Sequence, residues 1–212
     1  MTTKLPVFFQ GVGTTVELAL CTAIFGTLLG IVVDLLRMSR VKLLKVLAGA
    51  YIEFLRGTPL LVQVLIVFYG LPQMGVKLPR MTAGTVALVI NSAAYMAEIV
   101  RSGIQAIDGG QTEASRSLGM NGAQTMIYII LPQAIKNILP AIGNEFISII
   151  KESSILYTIG IYELTYQANK LASTNFRYLE TLTISALIYF VLTFTASRLL
   201  GMLERRMRRG DR

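Results

Sequence analysis

Residues 113–132 have the sequence EASRSLGMNGAQTMIYIILP and lie between two long apolar blocks of the chain. Thr112 is placed to cap a short helix that carries the acidic Glu113 in its first turn. Gly119 ends that helix in a turn, and a second short helix is predicted to begin over residues 123–130. The stretch therefore predicts a helical hairpin that lies at a membrane surface.

The turn of this hairpin, which Gly122 reinforces, presents a small apolar tip. Leu118 and Met120 lie near that tip. An apolar tip on a basic face is suited to insertion into a groove on a partner protein.

The composition of the chain is that of an integral membrane protein. It has 212 residues, of which 53% are hydrophobic and 15% charged, and its mean hydropathy is +0.60. A soluble domain carries about a quarter of its residues charged, and the apolar excess here lies in long uninterrupted blocks. The chain has no His or Trp, and its single cysteine, Cys21, lies inside an apolar block. Histidine-based catalysis, most metal sites and a disulfide framework are therefore excluded.

Five blocks are long enough to span a bilayer, which takes about 20 mostly apolar residues. The sequence therefore predicts a single all-α membrane domain over residues 1–212. In the first block, Gly26 and Gly30 have a spacing that permits close approach of another helix. We find no internal repeat, so a two-fold homodimer is the simplest way to close a pathway. The predicted spans are residues 11–36, 49–71, 82–104, 131–150 and 178–203.

The lysines and arginines predict which ends of the spans face the cytoplasm. With the N-terminus outside, the segments left inside carry most of the 20 basic residues, as the positive-inside rule requires. The C-terminus is then cytoplasmic, and the arginine-rich residues 204–209 form an anchor for anionic lipid. Because the basic residues flank apolar spans, the net charge of +8 does not indicate nucleic acid.

The stretch at residues 113–132 resembles the coupling loop of the permease subunits of type I ABC importers. That loop has the form Glu-Ala-Ala, three residues, Gly, nine residues, Ile, one residue, Leu-Pro, and this chain matches it with Ser115 in place of the second Ala. The resemblance implies that a coupling loop of about residues 105–131 docks on an ATPase subunit. The residues that it assigns to this docking are Glu113, Ala114, Arg116, Leu118, Gly119 and Met120.

Three further segments resemble the permeases of polar amino-acid uptake. They are RGTPLLVQ at residues 56–63, NSAAYMAE at 91–98 and ESSIL at 152–156. The resemblance covers nearly the whole chain and implies a five-helix permease, paired two-fold, in the cytoplasmic membrane. It also implies two ATPase subunits that use ATP and Mg, and an extracytoplasmic binding protein that delivers the amino acid. No cofactor is expected in this chain itself.

The second predicted span is expected to be broken at Pro59. Pro59 cannot donate a hydrogen bond to the carbonyl of Leu55, and Thr58 can cap a new helix that begins at Pro59. Free N–H groups at membrane depth would then suit a substrate carboxylate, with Arg56 adding charge. The alternative is a packing kink, with Arg56 reaching to the inner interface. Gln63 belongs to the same segment and is also a candidate for substrate binding.

Polar residues of the third predicted span share one helix face. Asn91, Tyr95 and Glu98 are spaced i, i+4, i+7. We interpret Asn91 and Tyr95 as groups that line a pathway. Glu98 is expected to pair with Arg101, which lies one helical turn away.

Polar residues form a stripe along one face of the fourth predicted span, and this face is expected to point toward the dimer axis. Pro140 is expected to interrupt the helix. Glu145 and Glu152 border this stripe. Glu145 either neutralises a cationic group of the substrate or pairs with a basic side chain of a neighbouring helix. The stripe consists of Asn137, Asn144, Ser148 and Lys151. The full set of residues predicted to bind substrate is Arg56, Thr58, Gln63, Asn91, Tyr95, Asn144, Glu145 and Ser148.

The chain has no phosphate-binding loop of the form Gly-x-x-x-x-Gly-Lys-Ser/Thr, so ATP hydrolysis is expected in a partner chain. Movement of the hairpin would rock the spans between inward-open and outward-open arrangements. The alternatives are a passive channel and an ion-coupled secondary transporter, whereas a membrane enzyme would need a catalytic constellation that this sequence lacks. The solute stays open, because Glu145 and Glu152 favour a basic amino acid and Arg56 and Lys151 oppose one.

Overall fold

The computed structural model describes residues 5–208, and every regular element within that range is helical. The predicted all-α class is therefore confirmed. A π-helical turn lies within the third helix at Ile66–Gly70 and another within the sixth at Thr125–Ile130, and the sixth ends in a 3₁₀ segment, Ser153–Ile159. The helices are α1 (Leu5–Arg37), α2 (Lys42–Gly57), α3 (Leu60–Gln73), α4 (Arg80–Gln105), α5 (Gly109–Ser117), α6 (Gly122–Ile159), α7 (Leu164–Asn175) and α8 (Tyr178–Arg208).

Four of these helices, α1, α4, α6 and α8, are long and apolar enough to cross a membrane. Helices α2 and α3 form a fifth crossing if they count as one broken span, since they meet at an angle of 109°. Each predicted span thus corresponds to helix in the structure, although the second begins at Lys42 and not at residue 49. A helix satisfies its own main-chain hydrogen bonds, which is why a chain embedded in lipid adopts this fold.

Helices α1 and α4 approach each other closely at two glycines. A Cβ added to Gly26 would lie 2.8 Å from Ser92 Oγ, and one added to Gly30 would lie 2.6 Å from Met96 Cβ and 2.9 Å from the carbonyl oxygen of Ala93. No larger side chain fits at these contacts without displacing α4. The close approach predicted from the spacing of the two glycines is confirmed.

We name the two ends of the bundle after Arg37, the last residue of α1, and Arg80, the first residue of α4. Helices α6 and α8 are largely uncovered along this bundle. Of their most apolar windows, 17% of the residues of α6 and 0% of those of α8 are buried within the chain. Near the Arg80 end, α1, α3, α4 and α6 share a buried core that includes Leu18, Val64, Leu88 and Leu156.

Pro140 does not interrupt the fourth span, contrary to prediction. It lies inside the regular helix Leu131–Glu152. A proline removes one main-chain hydrogen bond, and a span that is held in line by packing tolerates that loss. The packing is tight one turn further on, because a Cβ added to Gly143 would lie 2.2 Å from Leu200 Cδ1 of α8.

The first arm of the predicted hairpin is helix α5, which begins earlier than expected. Its cap is Asp108, whose Oδ1 accepts a hydrogen bond from the N–H of Gly110 at 2.6 Å. The predicted cap at Thr112 is therefore wrong. Asp is at least as good an N-cap as Thr, and Asp108 stands before two glycines, which have a low helix propensity.

The second arm of the predicted hairpin is not a separate short helix. Asn121 and Gln124 form a capping box, in which Asn121 Oδ1 accepts from the N–H of Gln124 at 2.9 Å and Gln124 Oε1 accepts from the N–H of Asn121 at 2.8 Å. The helix that starts there continues as α6. The hairpin is therefore a short helix followed directly by a span.

Helix α7 lies in the segment of residues 151–177, for which the sequence predicts only a connection. Its 12 residues are too few to span a bilayer. It packs directly on the Arg80 end of α1, since a Cβ added to Gly11 would lie 2.8 Å from Leu164 Cα. Helix α7 thus covers the start of α1 without crossing the membrane.

Candidate functional site

Gln63 holds together the break between α2 and α3. Its side chain is buried, and its amide nitrogen donates to the carbonyl oxygen of Leu55 at 2.8 Å, to that of Thr58 at 3.1 Å and to Thr58 Oγ1 at 2.9 Å. The carbonyl of Leu55 is the one that Pro59 leaves without a main-chain donor. The side chain of Gln63 therefore replaces the hydrogen bond that the proline removes.

Asn91 connects this break to α4. Its amide nitrogen donates to Gln63 Oε1 at 3.0 Å, and both side chains are buried. Because a buried amide must be hydrogen-bonded, the pair fixes the position of the break against the middle of α4. Gln63 and Asn91 are thus engaged with each other and with the main chain.

The predicted helix start at Pro59 is wrong in detail. Thr58 Oγ1 donates to the carbonyl oxygen of Phe54 at 2.8 Å, one turn back in α2, and does not cap α3. Pro59 is itself the N-cap, with φ of −65° and ψ of 133°, and α3 begins at Leu60. Among residues 5–208, the N–H groups of Leu60 and Leu61 have no main-chain partner. Free donors do lie at the break, as predicted.

Glu98 is fully occupied by two arginines. Arg37 Nη1 donates to its Oε2 at 2.9 Å, and Arg101 Nε donates to both carboxylate oxygens at 3.1 Å. Arg101 also contacts Oε1 through its second terminal nitrogen. The predicted pairing of Glu98 with Arg101 is confirmed, and Arg37 additionally connects α1 to α4.

Arg56 is a surplus cation beside this cluster. Its Nη1 lies 3.9 Å from Glu98 Oε2, and its guanidinium carbon lies 5.4 Å from the centroid of the Tyr95 ring. Its side chain is 42% exposed. Because Arg56 approaches Glu98 only through Nη1 and only to 3.9 Å, its guanidinium keeps donors for a further anion.

The polar residues of α6 lie on a part of the helix that the chain does not cover. Asn144 and Lys151 are exposed, whereas Glu145, Ser148 and Glu152 are half-buried. Within the described range, neither Glu145 nor Glu152 forms an ion pair. The two carboxylates share one helix face, because seven residues separate them.

The candidate substrate residues thus fall into two groups. The first group lies at the break, where hydrogen bonds join Thr58, Gln63 and Asn91, and where the guanidinium of Arg56 stacks over the ring of Tyr95. The α6 residues Asn144, Glu145 and Ser148 form the second, and no hydrogen bond or ion pair between residues 5 and 208 joins it to the first.

The loop after α5 is a compact turn with an exposed apolar tip. Gly119 has a φ of +83°, a conformation that favours glycine, and Leu118 is 83% exposed. The N–H of Met120 donates to the carbonyl of Ser115 at 3.1 Å and that of Gly119 to the carbonyl of Arg116 at 3.0 Å, which closes a Schellman turn. The predicted apolar tip at Leu118 is confirmed.

Contacts with α6 fix the orientation of α5. Ser115 is buried, and its hydroxyl lies 3.0 Å from Thr125 Oγ1. Arg116 Nη1 donates to the carbonyl of Met120 across the turn at 3.3 Å. The contact between Ser115 and Thr125 therefore joins α5 to the start of α6. Glu113 and Ala114 are exposed on α5.

Glu163 is a buried carboxylate that was not predicted from the sequence. It caps α7, accepting from the N–H groups of Thr165 at 2.8 Å and Tyr166 at 2.6 Å, and the hydroxyl of Tyr189 donates to it at 2.8 Å. Burial raises the pKa of Glu163, and these hydrogen bonds oppose the shift. Its position immediately before the first residue of α7 was the one available signal. In the described part of the chain, no cluster of three His, Cys, Asp or Glu side chains could hold a metal ion.

The structure thus combines a broken span, a polar helix face that the chain leaves uncovered, and an exposed apolar tip at Leu118. These features are typical of a membrane component that works with partner chains. Residues 23–209 match the family described as "Binding-protein-dependent transport system inner membrane component". The chain belongs to this family of inner membrane transport components, and the predicted relationship to importer permeases is confirmed.

Individual relatives are similar over nearly their whole length. The chain is 40% identical to "Arginine transport system permease protein ArtQ" of Bacillus subtilis (strain 168), over 98% of this chain and 95% of that protein. It is 42% identical to "Probable glutamine ABC transporter permease protein GlnM" of the same organism, over 84% of this chain and 83% of that protein.

The fold is also that of solved transporters. A chain of "Crystal structure of an amino acid ABC transporter with histidines" is 52% identical, with a TM-score of 0.95 over 97% of this chain and 96% of that one. A chain of the MetNI methionine ABC transporter in an inward-facing conformation has a TM-score of 0.82 at 18% identity, over 97% and 98% of the two chains. The second comparison supports the fold alone.

Proposed function

We propose that this chain forms the translocation pathway of an importer for a polar amino acid, with ATP hydrolysis in separate ATPase subunits. The observation that carries the proposal is Arg56, a partly exposed cation within the broken span whose neighbouring carboxylate is already satisfied. A cation held inside a membrane span usually marks a substrate or ion route. The names of the arginine and glutamine relatives support an amino acid as the solute.

Arg56 binds the carboxylate of the substrate in this proposal. The free N–H groups of Leu60 and Leu61 lie at the same break and add partial positive charge. Tyr95 holds the guanidinium in place by stacking against it. Thr58, Gln63 and Asn91 keep the break in shape, so they support the site through the main chain.

Glu145 and Glu152 bind the cationic end of the substrate, which makes a basic amino acid the preferred solute. The support is that two half-buried carboxylates share one face of α6 and lack an ion pair within residues 5–208. Such a pair within a membrane is costly unless a cation joins it. Asn144 and Ser148 complete the polar wall on that face.

A second copy of the chain closes the pathway. The polar face of α6 and the apolar face of α8 are both left uncovered, and a polar stripe is costly against lipid. Two-fold pairing through α6 and α8 would cover both surfaces with the same residues from each copy. The assembly is thus a homodimer.

Two ATPase subunits dock on the exposed foot formed by α5 and Leu118, one on each copy. The Arg37 end then faces the cytoplasm, the N-terminus lies outside, and an extracytoplasmic binding protein meets the Arg80 end. The basic residues that flank the spans support this orientation of a multi-pass inner membrane protein. Membrane lipids surround the remaining apolar faces.

The test is uptake of radiolabelled amino acids by vesicles that contain the permease, its co-purifying ATPase and its binding protein. Arg56→Met should lower uptake at least about tenfold, as expected for loss of a charge-assisted contact, while ATPase co-purification stays intact. Arg56→Lys should restore part of the uptake. Arg40→Met, which removes an exposed arginine near the Arg37 end, serves as the control.

Unchanged uptake by Arg56→Met would contradict the proposal that Arg56 binds the carboxylate of the substrate. A passive channel or an ion-coupled transporter would instead carry the amino acid without nucleotide and without the ATPase. Competition between arginine, glutamine and glutamate in the same vesicles identifies the class of solute, and a preference for glutamate would contradict the role of Glu145 and Glu152.

A further inference from the structure

A cavity of about 340 Å³ lies at the Arg80 end, between the first turns of α1 and helix α7. The contact between Gly11 and Leu164 brings the two helices together beside the cavity. Phe8, Leu164 and Ala168 form a buried apolar cluster at this contact. The cavity is lined by Val7, Gln10, Tyr162, Gln167, Lys170, Leu171 and Thr174.

Gln167 is a buried polar side chain without a protein partner. It is 8% exposed, and its amide makes no hydrogen bond with any other residue of the described range 5–208. Buried amides in folded proteins are almost always hydrogen-bonded. The amide atoms of Gln167 are not fully enclosed and open onto the cavity, where a bound ligand would hydrogen-bond to them in place of water.

Lys170 provides the charge of the cavity. Its Nζ lies 5.9 Å from the centroid of the Tyr162 ring, and that ring is held edge-on against Tyr166 at 4.7 Å. In the described part of the molecule, Lys170 pairs with no carboxylate, and no acidic residue lines the cavity. The site thus offers one positive charge and the amide of Gln10 beside that of Gln167.

We propose that this cavity binds a phosphate group, supplied by a phospholipid headgroup or by a free phosphate. One ammonium and two amides suit the charge and the several acceptor oxygens of a phosphodiester. Apolar side chains border the cavity at Val7 and Leu171, and Phe9 on the same first turns of α1 is 71% exposed. That combination places a polar headgroup beside a surface suited to acyl chains.

A bound phosphate would connect α1 to α7 where the protein's own contacts are mostly apolar. Gln10 comes from α1, whereas Gln167 and Lys170 come from α7. Ligand binding should therefore raise the stability of the purified protein. The proposal is independent of which amino acid the chain transports.

The experiment measures thermal unfolding of the detergent-purified protein after removal of native lipid. Three probes are added separately: phosphatidylglycerol, a diacyl glycolipid without phosphate, and inorganic phosphate. Phosphatidylglycerol should raise the unfolding temperature, the glycolipid should not, and stabilisation by inorganic phosphate as well would identify the free anion as a source. Equal stabilisation by the glycolipid, or none by either phosphate probe, overturns the proposal.

Two variants test the residues. Gln167→Leu and Lys170→Met should each weaken binding of the phosphate probe about tenfold, the cost of losing one charged or buried hydrogen bond. Lys170 is exposed, so its variant folds even if Gln167→Leu does not. Lys77→Met, at the same end of the bundle but outside the cavity, is the control. Wild-type affinity in Lys170→Met overturns the proposal.

Discussion

The amide nitrogen of Gln63 lies 2.8 Å from the carbonyl oxygen of Leu55, across the break that Pro59 introduces into the second span. A side chain thus replaces the main-chain donor that proline lacks. The same amide group accepts a hydrogen bond from Asn91. The break is consequently a fixed element of the fold, in which every buried amide near Leu55 has a partner.

Gln63→Leu should destabilise the protein by about 1–3 kcal/mol, because the carbonyl of Leu55 and the amide of Asn91 then lose their partners in a buried site. Chemical denaturation in detergent micelles measures the change. Gln73→Leu, in the exposed last turn of α3, is the matched control and should stay within about 0.5 kcal/mol of wild type. A small effect of Gln63→Leu would mean that water satisfies the break.

Glu98→Gln should also destabilise the protein, by about 1–3 kcal/mol, because a neutral amide would replace the carboxylate that pairs with both Arg37 and Arg101. The matched control is Glu180→Gln. Glu180 pairs with Arg177 at 3.3 Å on an exposed surface, where such a pair contributes about 0–1 kcal/mol. Equal effects of the two substitutions would show that the cluster at Glu98 adds nothing beyond a surface ion pair.

Gly30→Ala should cost about 1–3 kcal/mol of stability, because the new methyl group would overlap Met96 and the main chain of Ala93. Gly13→Ala is the control on the same helix, since a Cβ there meets nothing within 4 Å. It should be neutral or slightly stabilising through its effect on the unfolded chain. Similar unfolding temperatures for both variants would contradict the tight contact between α1 and α4.

The buried carboxylate of Glu163 makes the stability of the protein depend on pH, and the direction of this dependence can be predicted. Burial raises its pKa above the ordinary value. Between the ordinary and the raised pKa, the folded protein keeps a proton that the unfolded chain has released, so stability falls as the pH rises through that window. Unfolding free energies from about pH 4 to about pH 8 should therefore show a steeper decline for wild type than for Glu163→Gln. If the unfolding free energies of wild type and Glu163→Gln changed equally with pH, the titrating group would be a residue other than Glu163.

Leu118→Ala should leave the unfolding temperature unchanged and lower ATP-dependent uptake. The side chain is 83% exposed, so its apolar surface has no packing role within the chain. Leu179→Ala removes an equally exposed leucine, 79%, at the start of α8 and is the control. Uptake at the wild-type level in Leu118→Ala would exclude this tip as a docking contact.

The apolar pattern predicted the spans well, because lipid imposes length and hydropathy on each of them. Pro59 predicted the break, since the loss of its N–H is a local property. The caps were predicted poorly. Thr58 and Thr112 are both suitable cap residues, but the N-caps in the structure are Pro59 and Asp108.

The candidate site could be predicted only as a set of residue types. Gln63 and Asn91 were expected to face a substrate, yet the structure joins them to each other and to Leu55. That pairing spans 28 residues of sequence and has no local signal. Glu163 and α7 were missed for the same reason, because the burial of Glu163 depends on Tyr189 from another helix.

The contacts of Gly26 and Gly30 with α4 have a consequence for how such a protein moves. At Gly30 no side chain separates the main chains of the two helices, which hinders one helix from sliding along the other. Helices α1 and α4, the first and third crossings, should therefore move together as one rigid unit. Any change of shape that carries a solute across the bilayer has to be taken up by the remaining helices.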